Sequence, residues 1–172
     1  MTFVLIVGLG IQGKKRKKIL DQLKIKSISL DPYVSNANYK SLELIPKKNL
    51  KEITHILICT PYNDRLKFLI FFLGFNVKIL IEKPLISCEK EKNFFVKNKN
   101  KIKSKIYSAY NHRFEDSILK CREVLKEKKI GKLYFCKMTY GNGTARNIKD
   151  SKWKNKNKGV IMDLLPHLLD TS

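Results

Sequence analysis

Short apolar runs alternate with longer amphipathic stretches over residues 2–109. The apolar runs predict five strands, at residues 2–7, 26–30, 55–59, 77–81 and 104–109. The amphipathic stretches predict helices from the first glycine-rich turn to about residue 23, over 63–73, and from Ser87, as its N-cap, to about residue 98. A loop-rich region to about residue 52 follows the second strand. Short all-apolar strands that alternate with helices are typical of a parallel sheet covered on both faces.

The pattern of apolar positions changes after residue 112. Residues 114–129 predict a long helix, residues 132–140 alternate like a half-exposed strand, and residues 160–169 predict another helix. We therefore expect a doubly wound α/β domain over residues 1–112. Residues 113–172 would form the truncated beginning of an α+β domain, with an antiparallel sheet. The lysine- and asparagine-rich stretch 97–105 is expected to be a solvated connector.

Composition excludes a disordered chain and weighs against specific nucleic-acid binding. With 43% hydrophobic residues the chain can bury a core. The 36 Lys and Arg against 15 Asp and Glu give a net charge of +21, but only five of the basic residues are arginines. Because arginine is the residue suited to bidentate phosphate and base contacts, this charge is more typical of compositional bias. We expect salt-sensitive, non-specific attraction to polyanions and no specific nucleic-acid partner.

Cysteine spacing and hydropathy further narrow the classes of protein that the sequence allows. The four cysteines form no CxxC pair and lie away from any histidine at ligand spacing, so we expect reduced core thiols and no metal site. The most apolar stretch, residues 66–75, spans about ten residues, whereas a bilayer span needs about twenty. The first residues lack the features of a secretory signal peptide. These features predict a soluble, cytoplasmic protein without a membrane partner.

A glycine-rich sequence, GLGIQG at residues 8–13, lies between the first predicted strand and the first predicted helix. In this context Gly8 permits a tight turn, Gly10 lets the backbone approach a pyrophosphate, and Gly13 lets helix and strand pack closely. Asp31 ends the second strand, where a carboxylate accepts hydrogen bonds from ribose hydroxyls and repels a 2′-phosphate, favouring NAD over NADP. NADP stays an alternative because the basic run at residues 14–18 could assist a phosphate. The other interpretation is a glycine-rich turn followed by a surface aspartate.

Further motifs follow in order: CTPYNDR, IEKPL, AYNHRF, IGKLYFCKMTYG, a tryptophan, and G-x-x-x-D-x-x-x-H-x-x-D. Together with GLGIQG and Asp31, this series resembles the Gfo/Idh/MocA family of NAD(P)-dependent oxidoreductases over essentially the whole chain. The resemblance implies a Rossmann domain followed by an α/β domain that carries substrate and oligomer contacts. It also implies hydride transfer between nicotinamide and a secondary alcohol or ketone of a sugar, polyol or sugar nucleotide.

The resemblance assigns catalytic roles to Lys83, Asp163 and His167. His167 would take or give the hydroxyl proton, Lys83 would polarise the oxygen, and Asp163 would orient one of them. Asp163 and His167 are four residues apart, so on a helix they share one face, and histidine titrates near neutrality. The cofactor-binding candidates are Gly8, Gly10, Ile11, Gln12, Gly13, Asp31, Thr60, Pro61, Glu82 and Asn111. The alternatives are a helix-capping Asp163, a structural His167 and an ordinary surface Lys83.

The resemblance has departures that leave a second function open. Lys158 and Gly159 stand where the family has a glycine pair, and the chain ends five residues past His167. A completed protein would be a dehydrogenase and a possible homo-oligomer; the alternative is a truncated, catalytically inactive NAD-binding fragment. His55 and His112 are interpreted as ordinary residues at strand edges. The individual substrate is not encoded in these motifs.

Overall fold

The computed structural model describes residues 1–103, 105–141 and 159–171, apart from the side chains of residues 62, 63, 160, 162 and 163. Five strands form in chain order: β1 (Phe3–Val7), β2 (Lys26–Leu30), β3 (His55–Ile58), β4 (Lys78–Ile81) and β5 (Ile106–Ser108). The described helices are α1 (Ile11–Gln22), α2 (Lys47–Glu52), α3 (Tyr62–Phe72), α4 (Glu89–Lys97), α5 (Lys99–Ile102), a 3₁₀ helix (Asn111–Phe114), α6 (Asp116–Lys126) and α7 (Gly159–Thr171). They belong to two compact units, Met1–Ala109 and Tyr110–Ser172.

The first unit is built on one parallel sheet with the strand order β2-β1-β3-β4-β5. β1 pairs with β2 on one side, with Val4 opposite Ser27, and with β3 on the other, with Val4 opposite His55. The strand order therefore reverses direction between β1 and β3. In open α/β sheets, ligands bind at this switch point, outside the carboxyl ends of the strands. The predicted doubly wound parallel sheet is confirmed.

Both faces of the sheet are buried, which explains why β1 is apolar at every position. Leu5 and Val7 pack into one core cluster with Phe72, whereas Val4 and Ile6 pack into a second with Leu20 of α1. Successive side chains of a strand point to opposite faces, so an alternating pattern would leave one face polar. Helices therefore cover the sheet on both sides.

The second unit consists of helices and an extended segment. α6 and α7 form where the pattern predicted helices, although α6 is shorter than residues 114–129 and follows the 3₁₀ helix. The strand predicted for residues 132–140 is absent from the described part of the chain. A strand is stabilised by hydrogen bonds and side-chain pairs with a neighbouring strand, and the described residues of this unit supply no such neighbour.

The structure differs in detail from three smaller predictions about local structure. α4 has Cys88 rather than Ser87 as its N-cap; the Ser87 hydroxyl donates to the Glu91 carboxylate, and the Cys88 side chain makes no capping hydrogen bond. The loop-rich region before β3 contains α2. The stretch 97–105 contains α5, whose Ile102 is buried, so it is not wholly solvated.

The cysteines also differ from expectation. Cys59 is half-buried, but Cys88, Cys121 and Cys136 are exposed, and all four are free thiols. A cysteine lies in the core only where its element turns that position inward, as β3 does near residue 59. Three of the four are therefore surface thiols rather than core residues.

Candidate functional site

The glycine-rich turn after β1 has two positions that only glycine fits. Gly8 has φ +90°, and a Cβ there would lie 3.0 Å from Cγ2 of Thr60. A Cβ on Gly13 would lie 1.9 Å from the Gly8 carbonyl oxygen, which would force α1 away from the turn. The Gly8 amide donates to the Leu30 carbonyl at 2.8 Å, so the turn is also tied to β2. Gly8 and Gly13 thus set the close approach of helix and strand.

Gly10 differs from its neighbours because the space beside it is open. A Cβ there would meet nothing within 4 Å among the described residues, and Gly10 itself is exposed. Gly10 is the N-cap of α1, and no side chain caps this end of the helix. By helix geometry the amides of Ile11, Gln12 and Gly13 have no intrahelical partner, and the helix dipole places positive charge there. This open turn fits a phosphate group.

Asp31 follows β2 and is buried against the same turn. Its carboxylate accepts hydrogen bonds from the backbone amides of Leu9 at 2.7 Å, Tyr33 at 2.9 Å and Val34 at 3.0 Å. Burial opposes ionisation, but these donors and the Lys40 charge outweigh it, and the pKa of Asp31 lies below its usual value. The group beside the turn is therefore a fixed negative charge at neutral pH.

Thr60 and Pro61 lie at the carboxyl end of β3, next to the end of β1 in the sheet. Pro61 is the N-cap of α3. The Thr60 hydroxyl is buried and has no hydrogen-bond partner among the described residues. A buried hydroxyl without a partner is costly unless a ligand or water satisfies it. Its place beside Gly8 makes it a candidate for a ligand contact.

Glu82 lies just past β4, and its carboxylate is held by an arginine that the sequence did not single out. Arg16 of α1 donates from Nε to Glu82 Oε1 at 2.8 Å, and both side chains are about three-quarters buried. Desolvation, with the Glu82 charge, raises the pKa of the neighbouring Cys59 thiol to about 12, against the opposing effect of Arg16. Arg16 was counted only as part of a basic run, although it is the single arginine within it.

Lys83 follows Glu82 and is half-buried at the same edge of the sheet. The Lys83–Pro84 peptide bond is cis. The next residues are anchored by Arg65 of α3 and Glu91 of α4, which form a buried ion pair with side chains only 2% and 1% exposed. Arg65 ends the motif CTPYNDR, but that motif did not indicate its pairing with Glu91, which lies in none of the quoted motifs. The carboxyl ends of β1, β2, β3 and β4 thus bring together the predicted residues Gly8–Gly13, Asp31, Thr60, Pro61, Glu82 and Lys83.

In the second unit His167 lies on α7 and is buried, with 8% of its surface exposed. Its ring centroid lies 4.5 Å from that of His112, 5.6 Å from that of Tyr140 and 6.2 Å from that of Tyr110. The side chain of Asp163, one turn earlier on α7, is outside the described residues. His167 is therefore buried among aromatic side chains.

The interpretation of His112 as an ordinary strand-edge residue was wrong, because it lies at the centre of this cluster. Its Nδ1 pairs with the Glu115 carboxylate, and its Nε2 bonds to the Tyr140 hydroxyl at 2.9 Å. A cavity of about 310 Å³ opens beside the two histidines, with Thr139 and Thr171 among its lining residues. The cluster joins the 3₁₀ helix, α7 and the segment near residue 140, so sequence spacing could not reveal it.

Two further residues of interest, Asn111 and Arg113, lie on the same 3₁₀ helix as His112. Arg113 forms a bidentate pair with Asp170 of α7, and this partner, against the cost of burial, raises the pKa of the guanidinium. Asn111, a predicted cofactor-binding residue, is exposed at the start of the 3₁₀ helix. The 3₁₀ helix is therefore fastened to α7, while Asn111 stays accessible.

No described helix is long and apolar enough to cross a membrane. No three metal-ligating side chains converge within the described ranges.

No protein-family model matches the chain, and no curated protein matches it in sequence. Solved structures do match. The WlbA dehydrogenase from Thermus thermophilus, in complex with NAD and alpha-ketoglutarate, aligns with TM-score 0.70 at 18% identity, over 99% of this chain and 61% of that one. A putative myo-inositol dehydrogenase from Sinorhizobium meliloti 1021 aligns with TM-score 0.70 at 17% identity, over 99% and 54%. Myo-inositol 2-dehydrogenase from Lactobacillus plantarum aligns with TM-score 0.59 at 20% identity, over 77% and 43%.

This chain has the fold of those dehydrogenases. At these identities the likeness concerns the fold alone. The chain spans between about two fifths and three fifths of the length of these structures.

Proposed function

We propose that this chain is the nucleotide-binding part of an NAD-dependent oxidoreductase that acts on a CH–OH group of a sugar, polyol or sugar nucleotide. The observation that carries the proposal is the open, uncapped turn at Gly10, with the ionised Asp31 beside it. The turn lies at the switch point of the sheet, where dinucleotides bind in this architecture. One of the similar structures is a dehydrogenase crystallised with NAD, the cofactor that this proposal assigns to the turn.

The residues of the first unit offer the hydrogen-bonding groups and the charge that a dinucleotide needs. The amides of Ile11, Gln12 and Gly13 would hold the pyrophosphate, because they point out of an uncapped helix end. Asp31 would accept hydrogen bonds from the adenosine ribose, since its oxygens retain lone pairs beyond the three backbone donors. The Thr60 hydroxyl, which is buried without a partner among the described residues, would gain one from the ligand. When bound, NAD supplies the hydride acceptor.

Lys83 and His167 would handle charge and protons on the substrate. The Lys83 ammonium would stabilise negative charge developing on the substrate oxygen, as a fixed cation does in a site that excludes water. His167 would accept the hydroxyl proton, a role that requires a group titrating near neutrality. Asp163 would orient one of these side chains. These three roles follow from the resemblance of the motifs around them.

The first experiment compares two glycines whose open surroundings are alike. Neither Gly10 nor Gly74 has an atom within 4 Å of the position of a Cβ, so Gly10→Ala and Gly74→Ala should both fold normally. Gly10→Ala should weaken NADH binding at least about tenfold, or about 1.4 kcal/mol, because its methyl group occupies the space the pyrophosphate needs. Gly74→Ala should bind NADH like wild type. Isothermal titration calorimetry measures both, and equal affinities for the two variants would contradict the proposed site.

A second function, NAD binding without turnover, is favoured by one observation. The described part of the second unit contains no buried hydrophobic side chain that would form a rigid wall for a substrate. Orientation of substrate against cofactor is a large part of the rate enhancement of such enzymes. Sustained NADH production by this chain with any member of a panel of polyols and sugars would contradict NAD binding without turnover.

A further inference from the structure

The segment that carries Lys83 is held by a buried ion pair that belongs to neither the nucleotide-binding turn nor the hydrogen bonds of the sheet. Arg65 of α3 donates from Nε to Glu91 Oε1 at 2.5 Å and from one terminal nitrogen to Glu91 Oε2 at 2.7 Å. Both side chains are almost completely removed from solvent. Burying two charges is costly, so a buried ion pair is weak evidence for a gain in stability. Its presence here calls for an explanation other than stability.

The other hydrogen bonds of the pair within the described residues reach the chain on both sides of Lys83. Arg65 donates to the carbonyl of Glu82 at 2.9 Å and to the carbonyl of Leu85 at 3.0 Å. Glu91 accepts hydrogen bonds from the amide and the hydroxyl of Ser87, each at 2.7 Å. The pair therefore fixes the backbone immediately before Lys83 and at two points after it.

We propose that Arg65 and Glu91 are positioning residues that hold Lys83 in its working place at the carboxyl edge of the sheet. This inference rests on the proposed function, in which Lys83 acts on the substrate oxygen at the edge of the sheet where the dinucleotide binds. The planar guanidinium suits the task because it can bind a carboxylate and two carbonyl groups at once in a fixed geometry. A site held within about half an ångström requires such supporting contacts.

A double variant tests the inference without leaving a buried charge alone. Arg65→Met with Glu91→Leu replaces the pair by apolar side chains, a type of change that proteins often tolerate with little loss of stability. The matched control is Glu89→Gln with Lys92→Gln, which removes an exposed ion pair from the same helix α4. Arg65→Lys is the conservative variant, since lysine keeps the positive charge but lacks the planar guanidinium that binds a carboxylate through two nitrogens.

The readout is the shielding of Lys83 by NADH from an amine-acetylating reagent, followed by mass spectrometry. With NADH at about one hundred times Kd, only about 1% of sites are empty, so full shielding slows acetylation by up to about a hundredfold. In wild type and in the α4 control we expect strong shielding of Lys83 and none of Lys78, which is exposed at the opposite end of β4. In the double variant NADH should bind with unchanged affinity, yet shield Lys83 several-fold less. In Arg65→Lys, NADH should shield Lys83 less than in wild type and more than in the double variant.

Hydrogen exchange of the Ser87 amide supplies a second, cofactor-independent measurement. This amide donates to Glu91, so its exchange should accelerate in the double variant and not in the α4 control. Unchanged shielding of Lys83 together with unchanged Ser87 exchange would overturn the positioning role. If wild type binds NADH but never shields Lys83, the assignment of Lys83 fails and the inference with it. If wild type binds no NADH, the proposed function itself is wrong.

Discussion

The two units of the chain differ most in how they bury apolar side chains. Every buried hydrophobic residue in the described part of the chain lies between Phe3 and Ile102, in the first unit. In the second unit Tyr134 and Phe135 are 85% and 80% exposed, and α6 contains no buried residue. An amphipathic helix gains most of its stability from packing its apolar face. In the first unit the apolar faces of strands and helices therefore pack against one another. In the described part of the second unit no apolar side chain is buried by such packing.

Substitution of one phenylalanine in each unit is the strongest test of this difference. Phe72 is 1% exposed in the core of the first unit, so Phe72→Ala should lower the free energy of unfolding by about 3–5 kcal/mol. Phe135→Ala should change it by less than about 0.5 kcal/mol, since that side chain is exposed. Urea unfolding followed by circular dichroism measures both. Equal costs would show that Phe135 is packed in solution and that the contrast is wrong.

The reactivity of one thiol in each unit tests the same difference in burial with a chemical probe. Cys59 has a raised pKa of about 12 and is half-buried, so little reactive thiolate is present at pH 8. Cys121 on α6 is exposed. Labelling with a maleimide, located by mass spectrometry, should be at least about a hundredfold slower at Cys59 than at Cys121. Comparable rates would mean that the turn near Cys59 opens readily in the native chain.

The acid sensitivity of the first unit should depend on Asp31. Because its folded pKa is lowered, its contribution is present above the ordinary carboxyl range and disappears as pH falls through the folded pKa. Asp31→Asn should therefore cost about 1–3 kcal/mol at pH 7, where backbone donors lose a charged acceptor. The difference from wild type should shrink towards pH 3. Unfolding free energies of both proteins at the two pH values test this, and a difference independent of pH would rule out the carboxylate charge as its source.

The sequence predicted the parts of the first unit that depend on local patterns. The strands follow from continuous apolar runs, and the roles of Gly8 and Gly13 follow from a turn that leaves no room for a Cβ. The buried pair of Arg65 and Glu91 joins residues 26 positions apart, and although Arg65 ends the motif CTPYNDR, no sequence pattern links it to Glu91. Side-chain pairs of this kind arise from tertiary packing, which single-sequence patterns do not encode.

The same limit applies with more force to the second unit. α7 was predicted because its apolar positions recur at helical spacing. The clustering of His112 with Tyr140 and His167 depends on the path of the chain between three separate segments, and the strand expected at residues 132–140 depends on a pairing partner. The roles of Lys83, Asp163 and His167 stay predictions from the resemblance.

Competitive titration of NADH and NADPH against the 172-residue chain tests the central claim most directly. The account predicts that NADH binds, and that it binds at least about tenfold more tightly than NADPH, because the ionised Asp31 repels a 2′-phosphate. Asp31→Asn should narrow that preference, chiefly by strengthening NADPH binding. Equal or tighter binding of NADPH by wild type would show that the basic residues of α1 outweigh Asp31. Failure of the chain to bind either dinucleotide would contradict the account.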